Sequence, residues 1–316
     1  MKFSYLCSLF FSLVSIPSIW SSPSLLETKQ EHCNILSLSG GGSFGAVEVG
    51  ILSDLIEKKK IPETYHIISG ISVGGLNAAF LSSKGTLSNA LKDIVPLYKK
   101  LRTSDIYKQS YNIFRKWGWY DTSPLEEFLR TVLNSTIKIP KIDRTNEPIV
   151  IIGSTNLDKE RLDIHNFYYT DSLDKKVDIL MATSAIPILF PPRKINQDYH
   201  IDGGVLTNEM ILEALSYKKC NSYDIYVIKA NNKKVIDKDI SSFTSYLKTL
   251  FSVFINIFDD ELSRINMMCM FSSKRIHIYY PNSTELQQYS ILDFNHGEKL
   301  YEIGKTSYYE KKKYIC

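Results

Sequence analysis

The sequence predicts an α/β domain built on a largely parallel sheet with helices on both faces, and three observations predict it. Short apolar runs that suit buried strands recur along the chain: Ile35–Leu38, Tyr65–Ile68, Ile149–Ile152, Asn166–Tyr169, Ile225–Ile228 and Ile276–Tyr280. After the first run Val49, Leu52 and Ile56 recur at helical spacing up to Lys58-Lys59-Lys60, and after the second Val73–Leu81 reads as a small-residue helix that packs closely on a sheet. Glycine-rich turns stand where each of these strands gives way to its helix. Strands that alternate with helices need crossovers, and crossovers cover a parallel sheet on both faces.

Bulk properties narrow the class. The chain has 316 residues, 44% hydrophobic and 23% charged, which suits a folded domain with a sizeable core and excludes a disordered or multi-pass membrane protein. A net charge of +4, with Lys and Arg interspersed among Asp and Glu, carries no nucleic-acid footprint. The 20 Tyr and 15 Phe exceed what an average core needs and suit broad apolar surfaces beside a binding site. Two segments concentrate them. Lys99–Asp121 mixes Tyr107, Tyr111, Trp117, Trp119 and Tyr120 with Lys108, Arg115 and Lys116, and Phe243, Leu247, Leu250, Phe251, Phe254 and Phe258 form a stripe at helical spacing. Each suits an acyl groove, a membrane face or plain core packing.

Met1-Lys2 followed by an uncharged run from Phe3 to Ile19 and the small polar Ser21-Ser22 reads as a signal peptide over 1–22, with a retained anchor as the alternative. In an oxidising route the remaining Cys33, Cys220, Cys269 and Cys316 are expected to pair in one of three ways. Asn134-Ser-Thr and Asn282-Ser-Thr become glycan acceptors there. No Cys/His spacing suggests a metal site.

The chemistry centres on Gly70-Ile71-Ser72-Val73-Gly74, a GxSxG sequence between a strand and a helix. Glycines on both sides clear room for a sharp turn, so the Ser72 hydroxyl projects at a helix N-terminus, where developing negative charge is favoured. Ser39-Gly40-Gly41-Gly42-Ser43-Phe44-Gly45 is a second strand-to-helix turn whose N–H groups can converge on one oxygen. Its spacing also fits a dinucleotide-binding GxGxxG, but that fold needs an acidic residue at the end of the next strand, and here the strand leads into Ser72. For the base, His165, His200, His277 and His296 lie downstream, His296 being the best placed of them. Asp202-Gly203-Gly204 offers a carboxylate on a tight turn that can take the serine proton directly.

Taken in order, Gly40–Gly45, the Ser72 turn, the stretch Ala182–Phe190 and Asp202-Gly203-Gly204 resemble the patatin-like phospholipases over about Ile35 to Asn208. The resemblance implies a three-layer α/β/α sandwich spanning 33–300, with 1–22 as signal and 301–316 as a charged tail. It implies a Ser72–Asp202 dyad without histidine and an oxyanion hole from Gly40, Gly41, Gly42, Ser43 and Gly45, with Gly70, Gly74, Gly203 and Gly204 shaping the turns. It further implies no cofactor or metal in the catalytic step, and a lipid or membrane-interface substrate whose fatty-acyl ester is hydrolysed. Two positions depart from the family pattern. Phe44 stands where the family usually has Arg or Lys, and Asn208 is followed by Glu209 where the family often has proline. A conventional Ser-His-Asp esterase and an inactive lipid-binding protein are the rival readings.

Overall fold

The computed structural model describes residues 31–110, 117–136, 148–170, 172–218, 220–231, 273–282 and 284–315. The 1–22 segment, the Phe243–Phe258 stripe, Cys269 and Cys316 lie outside them.

Among the described residues eleven strands form: β1 His32–Leu38, β2 Ile67–Ile71, β3 Lys108–Gln109, β4 Tyr120–Asp121, β5 Ile149–Asn156, β6 Arg161–Asn166, β7 Arg193–Ile195, β8 Asp198–Asp202, β9 Ser222–Ile228, β10 Ser273–Pro281 and β11 Tyr308–Ile315. The helices are α1 Gly45–Glu57, α2 Val73–Leu81, α3 Leu87–Lys100, α4 Ser123–Thr136, α5 Leu173–Thr183, α6 Ile211–Tyr217 and α7 Gly297–Thr306. Nine strands make one sheet in the order β11-β10-β9-β1-β2-β5-β8-β7, with β6 also on β5. From β10 to β5 all pairs are parallel, while β11, β6, β8 and β7 pair antiparallel with their neighbours. The fold is therefore an α/β sandwich on a mixed, centrally parallel sheet.

Strand alternation decides which face each side chain serves. Leu36, Leu38, Ile68, Val150, Ile152, Tyr226 and Ile228 join the core under α1, α2, α3, α4, α5 and α7. Their neighbours Ile35, Ile67, Ile71, Ile151, Ile225 and Val227 turn to the other face and meet Ile211 and Ala214 of α6.

Two expectations change. Asn166–Tyr169 is not a strand: β6 ends at Asn166, and Phe167 and Tyr168 are buried beyond it while Tyr169 is exposed. Aromatic residues favour strands because they fit a half-buried pleat, and here a loop buries the same rings. The stretch 301–316 is not a tail either, since Tyr301–Thr306 completes α7 and β11 pairs along β10. Among the described residues β11 is the edge strand of the sheet, and the exposed Lys311 on it discourages pairing with other chains.

Candidate active site

The register of β5 brings the two halves of the site together. On β5, residues 149–153 pair with β2, residues 154–156 with β8, and 151–156 with β6. Because β6 overlaps both other partners, it must occupy the opposite edge, so β2 and β8 share one edge and meet end to end. Ile71, the last residue of β2, faces Gly153, and Asp202, the last of β8, faces Ser154. Ser72 and Asp202 thus leave two strand ends that abut at consecutive positions of one strand.

Ser72 is held at φ 55° and ψ −128°, a left-handed conformation that costs about 1–3 kcal/mol in a non-glycine residue. Its surroundings enforce it. The Ser72 N–H donates to Thr183 Oγ1 at 2.8 Å, Thr183 Oγ1 donates to the Gly153 carbonyl at 2.6 Å, and the Ser72 carbonyl accepts from Gly75 and Leu76. A methyl at Gly70 would lie 2.2 Å from the Gly74 carbonyl oxygen, and one at Gly74 would lie 2.4 Å from that of Leu38. Only glycine permits this approach of β1, β2 and α2.

Asp202 is fully buried; its Oδ1 accepts the Gly204 N–H at 2.8 Å, and its N–H donates to the Ala185 carbonyl at 2.9 Å. Burial pushes its carboxyl up to about 7, against the pull of hydrogen bonding to the Ser72 hydroxyl and to Gly204. The second oxygen, Oδ2, is buried with no full hydrogen bond of its own. The described histidines bond elsewhere. His165 and His200 share the Ser154 hydroxyl, at 2.7 and 2.9 Å, His277 meets Glu310, and His296 meets Asp293.

The glycine loop lies against the serine: a methyl at Gly40 would fall 3.3 Å from Ser72 Cβ. Not every N–H in the loop is free. Gly40 donates to Asn208 Oδ1 at 3.0 Å, Ser43 to the Ile291 carbonyl at 2.8 Å, and Gly45 back into the loop. Among the described residues, the N–H groups of Gly41 and Gly42 carry no such bond. Gly42 has φ 57°, and a side chain there would strike the Ile291 carbonyl. Phe44 is buried, packing into the core rather than facing the site.

Sequence reasoning missed four supports. Thr183 stitches the Ser72 turn to β5, and Asn208 caps Gly40. Glu209, which stands where the family often has proline, is buried and paired with Lys229. Glu48, fully buried in the first turn of α1, accepts from Ser39 and Asn77; burial raises its carboxyl to about 8 despite these bonds and the Lys229 charge. Of these, Asn208 and Glu209 stood out in the sequence only as a departure from the family pattern, and Thr183 only as part of Ala182–Phe190.

Behind Val73, between α2, α3 and α4, lies an apolar cavity of about 50 Å³ lined by Leu76, Phe80, Leu97, Phe128 and Phe294. Two groupings of potential metal ligands occur among the described residues. In Glu31–Cys33–His66 the thiol is spent in a disulfide with Cys220, and in Asp163–Asp198–His200 the carboxylates already pair with Arg161 and Lys159.

A serine on a strained strand-to-helix turn thus lies beside a buried aspartate and a glycine loop, the arrangement that the patatin-like resemblance implies. Residues 36–215 match the Patatin family, described as patatin-like phospholipase, and the chain belongs to that family. It is 31% identical over 213 residues to patatin-like protein 4 of Arabidopsis thaliana, covering 58% of this chain and 51% of that protein. It is 27% identical over 252 residues to human calcium-independent phospholipase A2-gamma, covering 72% of this chain and 32% of that protein. It is likewise 27% identical to the cGAMP-activated phospholipase of Vibrio cholerae, over 59% of this chain and 58% of that one. The chain thus spans between about a third and three fifths of these relatives' lengths. Among solved structures, VipD from Legionella pneumophila is 16% identical with a TM-score of 0.39, covering 89% of this chain and 68% of that one.

Proposed function

We propose that the chain hydrolyses fatty-acyl esters of phospholipids or other lipids through a Ser72–Asp202 dyad. The observation that carries this is the abutment of β2 and β8 on one edge of β5, which delivers a serine and a buried carboxylate to the same point. Asp202 accepts the Ser72 proton as Oγ attacks the ester carbonyl, and the freed N–H groups of Gly41 and Gly42, with the N-terminus of α2, hold the oxyanion. Asp202 returns the proton to the leaving alcohol, and water activated by the same carboxylate then releases the acid.

The exposed Trp117 and Ile188 support a lipid surface as the place of work. They are 77% and 56% exposed, both hold positive φ, and their loops are joined by the Trp119 N–H on the Ile188 carbonyl. The same loop touches Asp202 through Ala185, so this apolar rim borders the site. Hydrolysis of a soluble short-chain ester and of phospholipid vesicles tests both parts. Ser72→Ala is expected to abolish both rates, and Trp117→Ala to lower the vesicle rate more than the soluble one. Full esterase activity in Ser72→Ala would overturn the dyad.

A secretory route is supported by the bond between Cys33 on β1 and Cys220 before β9, and by exposed Asn134 and Asn282. Retention of the expressed full chain inside the cell, with Cys33 and Cys220 alkylated without reductant, would contradict that route.

A further inference from the structure

The catalytic steps leave one buried ionisable group near the serine unused. Glu48 is fully buried on α1, yet its two carboxylate oxygens face two different parts of the site. Oε1 accepts the backbone N–H of Ser39 at 2.8 Å, immediately before Gly40, and Oε2 accepts Asn77 Nδ2 at 2.9 Å, on the helix that begins at Ser72. Asn77 also donates to the Gly45 carbonyl at 3.2 Å, and its own Oδ1 accepts from Tyr98 at 2.7 Å. Ser39 Oγ in turn accepts the Ala230 N–H at 2.8 Å. One side chain therefore bridges the start of the glycine loop and the nucleophile helix, and the bridge is itself locked from α3.

We infer that Glu48 is a positioning residue that fixes the Gly41 and Gly42 donors relative to Ser72. This inference rests on the hydrolase reading. α2 also packs directly on this end of β1, a methyl at Gly74 falling 2.4 and 2.5 Å from the Leu38 and Ser39 carbonyl oxygens and one at Gly45 falling 2.2 Å from Val73, and Glu48 adds the polar link to that packing. Asn208 and the Ile291 carbonyl hold the Gly40 and Ser43 N–H groups, and the Ser39 N–H also reaches the Ile228 carbonyl at 3.2 Å. A carboxyl group suits the task because each of its oxygens can accept, the hydroxyl oxygen of the neutral acid included, whereas a glutamine in the same place would set an N–H₂ against either the Ser39 N–H or the Asn77 amide. The Asn77 amide cannot simply turn over, because Tyr98 holds its oxygen. Oxyanion donors act on the transition state, so a shift of the loop slows the chemical step without weakening substrate binding.

The test is Glu48→Gln, assayed on a soluble short-chain ester with active sites counted by fluorophosphonate titration. Per titrated site, kcat is expected to fall about ten- to a hundredfold while KM stays within about twofold, the pattern for lost transition-state alignment. A role in folding alone would lower the number of titratable sites and leave kcat per site unchanged. If Glu48→Gln does not fold, Tyr98→Phe removes only the lock on Asn77 and should lower kcat about two- to fivefold at constant KM. A kcat per site within twofold of the parent in Glu48→Gln, or in Tyr98→Phe where the first variant is insoluble, would overturn the inference. Failure of the hydrolase reading looks different, since then the parent chain is inactive or Ser72→Ala is as active as the parent.

Discussion

On the β2 side of the site the strands run parallel into helices, and the groups around Ser72 are glycines, small residues and one buried polar chain through Glu48, Asn77 and Tyr98. On the β8 side the strands run antiparallel, and the sheet carries Asn156, Asp163, Asp198, Lys159 and Arg161 in a polar cleft. The first flank is rigid and dry, which suits a nucleophile that must hold a strained backbone. The second alternates buried with solvated positions, and it places Asp202 at the one point where the polar strand enters the apolar core. The contrast teaches that the nucleophile is set by backbone geometry and the base by desolvation.

Desolvation makes the largest effect. Asp202 must be ionised to accept a proton, and burial raises its carboxyl to about 7, so kcat/KM for a soluble ester is expected to rise with pH through about 7. Well below that it should fall about tenfold per unit, about fiftyfold in all between pH 7 and 5. Stability runs the other way. The folded carboxyl holds its proton more tightly than the unfolded one, so raising the pH from about 4 to about 7 costs the folded state. Asp202→Asn should therefore unfold at a higher temperature than the parent at pH 8, with the gap closing toward pH 4, as melting curves will show. A flat activity profile from pH 5 to 8 would break the comparison.

Thr183 sharpens it, because its hydroxyl joins the two flanks: it receives the Ser72 N–H and donates to Gly153 at the seam of β2 and β8. Thr183→Val keeps the shape and leaves a buried N–H unsatisfied. About 1–3 kcal/mol of stability should be lost in denaturant unfolding, with kcat down about tenfold. An unchanged kcat would mean that the elbow holds itself without the seam.

The two flanks also differ in how far they could be read from the sequence. The strand–turn–helix units around Gly40–Gly45 and Gly70–Gly74 announce themselves through local glycine spacing and periodicity; α2 lies where those signals put it, β1 and α1 begin a few residues earlier, and β2 runs over Ile67–Ile71 rather than Tyr65–Ile68. The meeting of β2 with β8 was not legible, because it depends on how β5 shares its edges between three partners far apart in sequence. Asn208, Thr183 and Glu48 escaped for the same reason, their hydrogen bonds spanning 168, 111 and 29 residues. The lysine-rich end misled for a physical cause: charge suits an exposed tail and an edge strand equally well, and only pairing with β10 distinguishes them.

The pairing of Ser72 with Asp202 is tested most directly by the rate at which a fluorophosphonate labels the purified chain at pH 8. Ser72→Ala should take no label, and Asp202→Asn should label at least about a thousandfold more slowly than the parent. Replacing His277 and His296 together should leave the rate near that of the parent. Labelling of Asp202→Asn at the parent's rate, or loss of labelling in the histidine variant while it remains folded, would contradict the account.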